Sequence, residues 1–188
     1  MKSAIQMLRD EHDVILRMLE NLEAISQQVE KGEAPPLPVL MDLQEFFTAF
    51  ADRCHHGKEE ELLFPLLESK GVPRAGGPVG CMLVEHDEGR EFARALARNA
   101  PGCATGEASA AKAWAEAARE YANLLRNHIW KENEILFMMA DRLLSSEEQV
   151  RLASEFENVD GKKIGPDIRA KLNVQIQRLT RGTSVAAK

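Results

Sequence analysis

The sequence predicts an all-α protein in which four long helices form an up-down-up-down four-helix bundle, followed by a C-terminal helical extension. Apolar residues recur at spacings of three and four over long stretches, which is typical of amphipathic helices. No segment alternates apolar and polar residues over a useful length, so no sheet is expected. Short loops rich in Gly and Pro separate the stretches and favour antiparallel neighbours. We expect residues 1–144 to form the bundle and residues 145–188 to form the extension and a basic tail.

The first helix should begin at the capping sequence Ser3-Ala4-Ile5-Gln6 and end before Gly32 and the prolines that follow it. One side of this helix is apolar except for a single histidine: Ile5, Leu8, His12, Ile15, Leu19 and Leu22.

The second helix should start near Pro38, and Pro65 is expected to kink or end its last turn, because proline lacks the N–H and clashes with the preceding turn. Its predicted buried side combines apolar residues with a histidine and a glutamate: Leu43, Phe47, Phe50, Cys54, His55, Glu59, Leu62 and Leu66.

The third and fourth helices are predicted over residues 79–99 and 109–144, with a loop of small residues from Pro101 to Gly106 between them. The third helix presents Val79, Met82, His86, Arg90, Ala93 and Leu96 on one side. The fourth presents Trp114, Ala117, Tyr121, Leu125, His128, Glu132, Ile135 and Met139. A second capping sequence, Ser145-Ser146-Glu147-Glu148, predicts a short fifth helix to about residue 158, and the basic tail carries a further helical pattern through Ile168, Leu172, Ile176 and Leu179.

Composition excludes several classes of function. The formal charge of -6 argues against nucleic acid as a partner, because phosphate binding needs a basic surface. No stretch approaches the ~20 apolar residues of a membrane span, and charged residues interrupt the N-terminus before a secretory signal could form. Three cysteines without Cys-x-x-Cys spacing are interpreted as reduced thiols of a cytoplasmic protein. The sequence leaves a homodimer open.

The most informative pattern is His-x-x-x-Glu, which occurs twice, as His55/Glu59 and as His128/Glu132. A separation of four residues places both side chains on one face of a helix, about one turn apart. Imidazole and carboxylate directed at one point form half of a metal site, and two halves facing each other indicate a dinuclear centre. His12 and His86 lie on the apolar sides of the other two helices.

Any one of these residues could be a core polar residue with a local partner. Six ionisable groups converging in one core could not all pair with each other, and each would cost several kcal/mol if merely buried. A pair of metal ions removes that cost. Imidazole with bridging carboxylate suits iron, manganese or zinc, and no thiolate lies near enough to favour a softer metal. The His-Glu-x-x-His motif of zinc proteases and the Glu-x-x-His motif of ferritin-like bundles are both missing.

These motifs together resemble the hemerythrin-like proteins of the HHE cation-binding family. The resemblance covers residues 1–144 and is carried by Glu11-His12, by Cys54-His55-His56-Gly57-Lys58-Glu59-Glu60 with Leu63-Phe64-Pro65, by Glu85-His86, and by His128 with Glu132. It implies a non-haem, carboxylate-bridged centre of two iron ions, with iron expected over manganese or zinc. On that template His12, His55, His86 and His128 are terminal ligands, and Glu59 and Glu132 bridge the two ions.

Two departures from the oxygen-carrying members are evident. Those proteins have a second histidine in the third helix, at the position where this chain has Arg90. They also have an aspartate five residues after the histidine of the fourth helix, whereas this chain has Glu132, four residues after His128. The loss of one histidine should leave coordination positions open to small ligands. We therefore do not expect an oxygen store.

Four side chains near the pattern have more than one interpretation. His56 and Glu60 form an equally spaced pair, rotated by ~100° from His55 and Glu59, and are expected outside the ligand set or at the surface. Tyr121 is expected to be a packed core residue with its hydroxyl satisfied, although a phenol near iron could also be a ligand. Arg90 is expected to extend outward, and the alternatives are that it points to the site or pairs with a carboxylate such as Glu59.

The sequence predicts a cytoplasmic di-iron protein that binds or senses O₂, NO or peroxide. The alternative is a stress enzyme that decomposes peroxide, reduces NO or repairs iron centres by donating iron, as proteins that this one resembles do. The sequence does not decide between a binding module and an enzyme. Metal storage or a structural zinc bundle is ranked last.

Overall fold

The structure is a computed structural model, and it describes residues 2–163 and residue 174. The part of the chain that it describes is helical and contains no strand, which confirms the all-α class. The α-helices are α1 (Ala4–Glu30), α2 (Leu37–Phe46), α3 (Phe64–Ser69), α4 (Pro78–Ala104), α5 (Ala108–Lys131), α6 (Phe137–Leu143) and α7 (Ser146–Lys163). None of the described helices is long and apolar enough to cross a bilayer.

Two of the predicted helices contain π-helical turns. The second runs without a break from α2 to α3 through the π-helical segments Phe47–His56 and Glu59–Leu63. The fourth joins α5 to α6 through the π-helical segment Glu132–Leu136. A π turn bonds each N–H to the carbonyl five residues back and so inserts one extra residue into the helix. Such insertions occur often at functional sites.

The extra residues shift the buried side of each helix by one position. After Glu132 the core residue is Leu136, at 1% exposure, whereas the predicted core residue Ile135 is 45% exposed. After Glu59 the fully buried residue is Leu63, and Leu62 is only partly buried. The predicted stripes are therefore correct up to the two glutamates, except at the partly buried Phe50, and wrong by one residue beyond them.

Two prolines do not have the predicted effects. Pro65 does not end its helix, because it lies in the first turn of α3, directly after a π turn in which Phe64 N–H bonds to Glu59 O. Pro101 lies inside α4, so the predicted loop over residues 101–106 is wrong. Ala100 and Cys103 on either side of Pro101 are buried in the core, and packing holds this last turn helical. The turn comes later, at Gly106, which has a φ of 78°.

The long helices pack antiparallel to their neighbours. Glu23 and Glu30 of α1 pair with Arg126 and Arg119 of α5, at 2.6 and 3.0 Å. Asp52 and Glu60 contact α4 at Arg90 and His86, also in antiparallel order.

Helix α7 packs against the N-terminal end of α1 and extends beyond its predicted end near residue 158. Gln149 accepts a hydrogen bond from the Ile5 backbone, and the Phe156 ring lies 5.8 Å from the Lys58 ammonium. The division predicted at residue 144 stays a prediction, and the helical pattern predicted through residues 168–179 lies outside the described residues.

The buried apolar residues form two clusters. One includes Ile15, Phe47 and Tyr121, and the other includes Leu8 and Phe137. Between them lies a layer of buried histidine and glutamate, which occupies the middle of the helices where a bundle can hold a cofactor.

Candidate metal centre

All six residues that the sequence singled out meet in this polar layer. Each is at most 1% exposed, and together with His56 they form two groups that share Glu59. In each group the potential ligand atoms lie within 4.8 Å of one another. The first group is His12, His55, Glu59 and Glu132, and the second is His56, Glu59, His86 and His128.

The two glutamates connect the groups. Glu59 Oε1 lies 3.4 Å from His55 Nε2, and Glu59 Oε2 lies 3.5 Å from His86 Nε2. Glu132 Oε2 lies 3.1 Å from His12 Nε2 and 3.2 Å from His128 Nε2. Each carboxylate therefore lies close to imidazoles of both groups, as expected of a residue that bridges two ions.

Four of the imidazoles have a hydrogen-bond acceptor on the side that faces away from the centre. His12 Nδ1 lies 3.0 Å from Asn133 Oδ1, and His55 Nδ1 lies 2.9 Å from Glu11 Oε2. His86 Nδ1 lies 2.7 Å from Glu60 Oε1, and His128 Nδ1 lies 3.0 Å from Glu85 Oε2. An acceptor at Nδ1 holds the proton there, so that Nε2 presents its lone pair to the centre.

The Nε2 lone pairs point at each other and at the glutamate oxygens across the centre. His86 Nε2 and His128 Nε2 are only 3.1 Å apart, and two nitrogens bound at ~2.1 Å to one ion at roughly a right angle would be about 3 Å apart. Among the described residues, six inward-facing atoms that are fully buried have no hydrogen-bond partner: His12 Nε2, His55 Nε2, both Glu59 oxygens and both Glu132 oxygens. Buried polar atoms are rarely left unpaired, so this donor set fits a pair of cations.

The electrostatics of the metal-free centre agree with this fit. Burial, and after it the neighbouring imidazoles, lower the pKa of His55 well below its usual range and that of His56 to about 3. Burial opposes the charged form of His128, but Glu132 and Glu85 outweigh it and raise its pKa to about 9. Burial and the charge of Glu132 raise the pKa of Glu59. Without metal, the protons on His128 and Glu59 supply part of the positive charge that the metal ions would bring.

This charge pattern makes the metal-free protein sensitive to mild acid. The neutral forms of His55, His56 and His86 are favoured in the folded state, so the unfolded chain binds more protons below pH 6.5. The free energy of unfolding should therefore fall from pH 6.5 to 5, by up to about 1.4 kcal/mol per pH unit for each ring. Glu59 offsets part of this fall, because its raised pKa lets the folded state hold a proton that the unfolded chain has lost. His128 adds nothing to the slope in this range, since its stabilising charge is complete below pH 6.5 and is lost only towards pH 9. Urea unfolding of metal-free protein at several pH values measures the slope, and a flat profile would contradict it.

Basic residues hold the carboxylates that orient the imidazoles. Lys58 pairs with Glu11, which accepts from His55, and Lys131 pairs with Glu85, which accepts from His128. Arg90 pairs with Glu60, the partner of His86, at 2.6 Å. Arg90 therefore pairs with carboxylates, as the alternative predicts, but its partners are Glu60, Asp52 and Asp87 and not the expected Glu59.

These contacts repeat in the two halves of the chain. A Glu-His pair occurs at Glu11-His12 and at Glu85-His86, and the sequence His-x-x-Lys-Glu occurs at residues 55–59 and 128–132. In both halves the lysine and the histidine of that sequence contact the glutamate of the Glu-His pair that precedes it. The histidine of each Glu-His pair contacts the residue that follows the bridging glutamate of the other half. The centre thus has an internal two-fold pattern.

Replacing Glu85 by Gln tests these outer contacts. The amide oxygen of the new side chain could still accept from His128, but the variant would lose the ion pair with Lys131 and the negative charge that makes the imidazole a stronger donor. We expect metal affinity to fall about 10- to 100-fold, as is usual for such partners. Competition with a chelator measures this loss, and Glu88→Gln, at an exposed position on the same helix, is the control. Equal affinities of the two variants would refute a role for Glu85.

His56 is the residue that sequence reasoning misplaced. It is buried, at 3% exposure, and its ring stacks on that of His86 with centroids 3.8 Å apart. The α-helical period predicts a rotation of ~100° between His55 and His56, but both lie in a π-helical segment, in which consecutive residues are rotated by less. His56 is thus a fifth imidazole in the polar layer, and its burial excludes the surface position. The third helix still has Arg90 in place of a second histidine.

Tyr121 is a core residue, as expected, and lies edge-on to Phe47 with ring centroids 5.1 Å apart. Its hydroxyl has no hydrogen bond to any other described residue, which differs from the expected satisfied hydroxyl. Burial raises the pKa of this phenol above its usual range.

An all-helical fold with two buried His/Glu groups at its middle defines a class of helical cation-binding proteins. The chain belongs to the hemerythrin HHE cation-binding family, whose domain profile matches residues 3–140.

Several characterised relatives are similar to this chain. It is 31% identical over 135 residues to the iron-sulfur cluster repair protein DnrN of Neisseria gonorrhoeae, which covers 67% of this chain and 82% of DnrN. It is 29% identical over 134 residues to the iron-sulfur cluster repair protein YtfE of Salmonella schwarzengrund, which covers 69% of this chain and 60% of YtfE. A probable iron-sulfur cluster repair protein of Haemophilus influenzae is 30% identical over 133 residues. The chain thus spans about three fifths of the length of its YtfE relatives.

Proposed function

We propose that this protein holds two non-haem iron ions between its helices, with His12, His55, His86 and His128 as terminal ligands and Glu59 and Glu132 as bridges. The unpartnered inward-facing atoms of the two groups, joined by Glu59, carry this proposal. The mixture of imidazole and carboxylate suits iron, manganese or zinc, and the relatives named as iron–sulfur cluster repair proteins favour iron among these metals. When bound, two iron ions supply redox and Lewis-acid chemistry.

The same proposal includes the directions of the helices around the centre and the compartment of the protein. We take the four helical units that supply the ligands to run up-down-up-down, which fits the antiparallel contacts between them. Three free cysteines fit a reducing compartment, so we place the protein in the cytoplasm.

The cellular role that we propose is the repair of iron–sulfur clusters under stress, with iron donated from the centre to a damaged cluster. The names of the relatives support this role, and sequence analysis had ranked it as the alternative. The binding or sensing of O₂, NO or peroxide is a second candidate, because a cavity beside His56 provides space for a small ligand.

Metal analysis with absorption spectroscopy tests the centre, and cluster reactivation tests the role. We expect about two irons per chain, with charge-transfer bands that change on reduction. The iron-loaded protein should restore activity to an enzyme whose iron–sulfur cluster has been damaged by NO, whereas free iron at the same concentration should restore less. One zinc ion per chain would refute the di-iron centre. An iron-loaded protein that reactivates nothing would leave the centre intact and refute the repair role.

A further inference from the structure

His56 is held differently from the other four imidazoles. Their Nδ1 atoms lie 2.7–3.0 Å from an acceptor. His56 Nδ1 lies 3.5 Å from Asp52 Oδ1, which is longer than the other four contacts. The Asp52 carboxylate also accepts from Arg90 Nε at the shorter distance of 2.8 Å. His56 is therefore held more weakly through Nδ1 than the other four rings are, and stacking on His86 contributes to its position.

A small cavity adjoins the same ring. It has a volume of about 100 Å³ and is lined by His56, Thr48, Asp52, Gly89, Arg90 and Tyr121, with two further residues of α4. Because a water occupies ~30 Å³, the cavity holds about three waters or a molecule of two or three non-hydrogen atoms. Of the five imidazoles in the centre, His56 is the one that lines it.

Three charged residues line the cavity: Asp52, Arg90 and Arg94. Arg90 pairs with Asp52, and Arg94 pairs with Glu91 outside the cavity, so the lining carries one more positive than negative charge. The Tyr121 hydroxyl has no partner among the described residues and is available to a guest. The cavity suits a small polar molecule that is neutral or carries one negative charge.

Gly89 keeps this space open. A Cβ atom at this position would lie 3.4 Å from Tyr121 Cε2 and 3.8 Å from Leu124 Cδ2. These are ordinary contact distances, so alanine would fit, whereas a larger side chain would extend into the cavity between Gly89 and Tyr121.

We propose that this cavity is the access route and binding site for a metal ligand of two or three non-hydrogen atoms, and that His56 is the exchangeable member of the donor set. His56 leaves as a neutral imidazole with its lone pair, and the incoming molecule supplies a lone pair in its place, so the exchange needs no oxidant or reductant. This inference rests on the proposed di-iron centre.

Narrowing the cavity tests the access route. We expect Gly89→Val to slow azide binding to the oxidised, iron-loaded protein at least 10-fold in stopped-flow absorption, and Gly89→Ala to slow it less. Ala97→Val, at a partly buried position of the same helix outside the cavity, is the matched control and should bind azide at the wild-type rate. Iron content is measured for every variant. An unchanged rate in Gly89→Val with full iron would overturn the access route.

Removing the ring tests the exchange. His56→Ala should retain nearly two irons per chain and bind azide at least five-fold more tightly, whereas His128→Ala should lose half or more of its iron. In the wild-type protein, the imidazole contribution to the iron X-ray absorption should decrease when azide binds, and in His56→Ala it should stay constant. Loss of iron from His56→Ala as complete as that from His128→Ala would make His56 a permanent ligand and overturn the exchange. Wild-type protein without iron would instead refute the proposed centre itself.

Discussion

Replacing Glu59 by Gln is expected to reduce the iron content from about two per chain to less than about 0.5. Glu59 is the one residue common to both donor groups, and its two oxygens face different imidazoles. Glutamine has nearly the same shape, but it is neutral and its amide nitrogen cannot donate a lone pair to a metal. Each of the two proposed ions would therefore lose one carboxylate oxygen, and the Glu59 bridge between them would be lost. Metal analysis of purified protein measures the loss.

The control for this experiment is Glu134→Gln, which makes the same change at an exposed position two residues after the other bridge. It should retain full iron. Without metal, Glu59→Gln should be no less stable than the wild-type protein, because the pKa of Glu59 is raised and its buried charge is unfavourable there. A Glu59→Gln protein that keeps both irons would exclude Glu59 as a bridge.

Removing iron from the wild-type protein is expected to produce the largest loss of stability. The buried lone pairs of the centre then face each other with only a few protons between them. A ligand present at 1,000 times its Kd stabilises a fold by about 4 kcal/mol, and each kcal/mol changes Tm by roughly 2–4 °C at this chain length, so Tm should fall by roughly 8–16 °C. Calorimetry before and after anaerobic chelation measures the change.

Glu59→Gln serves as the control, since chelator should leave its Tm unchanged if it holds no iron. A wild-type Tm that is the same with and without iron would show that the iron is bound elsewhere, because metal at this centre must stabilise the helices that supply its ligands.

The spacing of His and Glu was sufficient to predict six of the seven residues that meet in the polar layer, and their role as metal ligands stays a prediction. Residues four apart share a helix face, and six ionisable groups on apolar faces have few arrangements other than around metal. The helical class and most helix bounds also followed from periodicity, because local hydrophobic pattern determines which helix face is buried.

The errors come from places where the helices leave the α-helical period. The π turn at Glu132 moves the core from Ile135 to Leu136, and the π-helical segment Phe47–His56 turns His56 inward. No local propensity marks a π turn. Pro101 is tolerated because tertiary packing outweighs its local preference.

The outer contacts are long-range, so periodicity could not predict them. Glu11 accepts a hydrogen bond from His55 on another helix and not from its sequence neighbour His12. The repeated Glu-His and His-x-x-Lys-Glu sequences were the available indication, since residues with the same neighbours in two halves of a chain tend to have the same roles.

The two-fold pattern has a consequence for how the protein loses metal. The first hairpin of helices supplies His12, His55, His56 and Glu59, and the second supplies His86, His128 and Glu132, so each donor group contains residues of both. In the centre that we propose, the ions would therefore act as a reversible cross-link between the two halves of the chain. Separating the hairpins would remove ligands from both ions in one motion, which would favour the release of two ions together over a stable half-loaded state. A partner that loosens the contact between the hairpins would thereby control when iron leaves, without touching a single ligand.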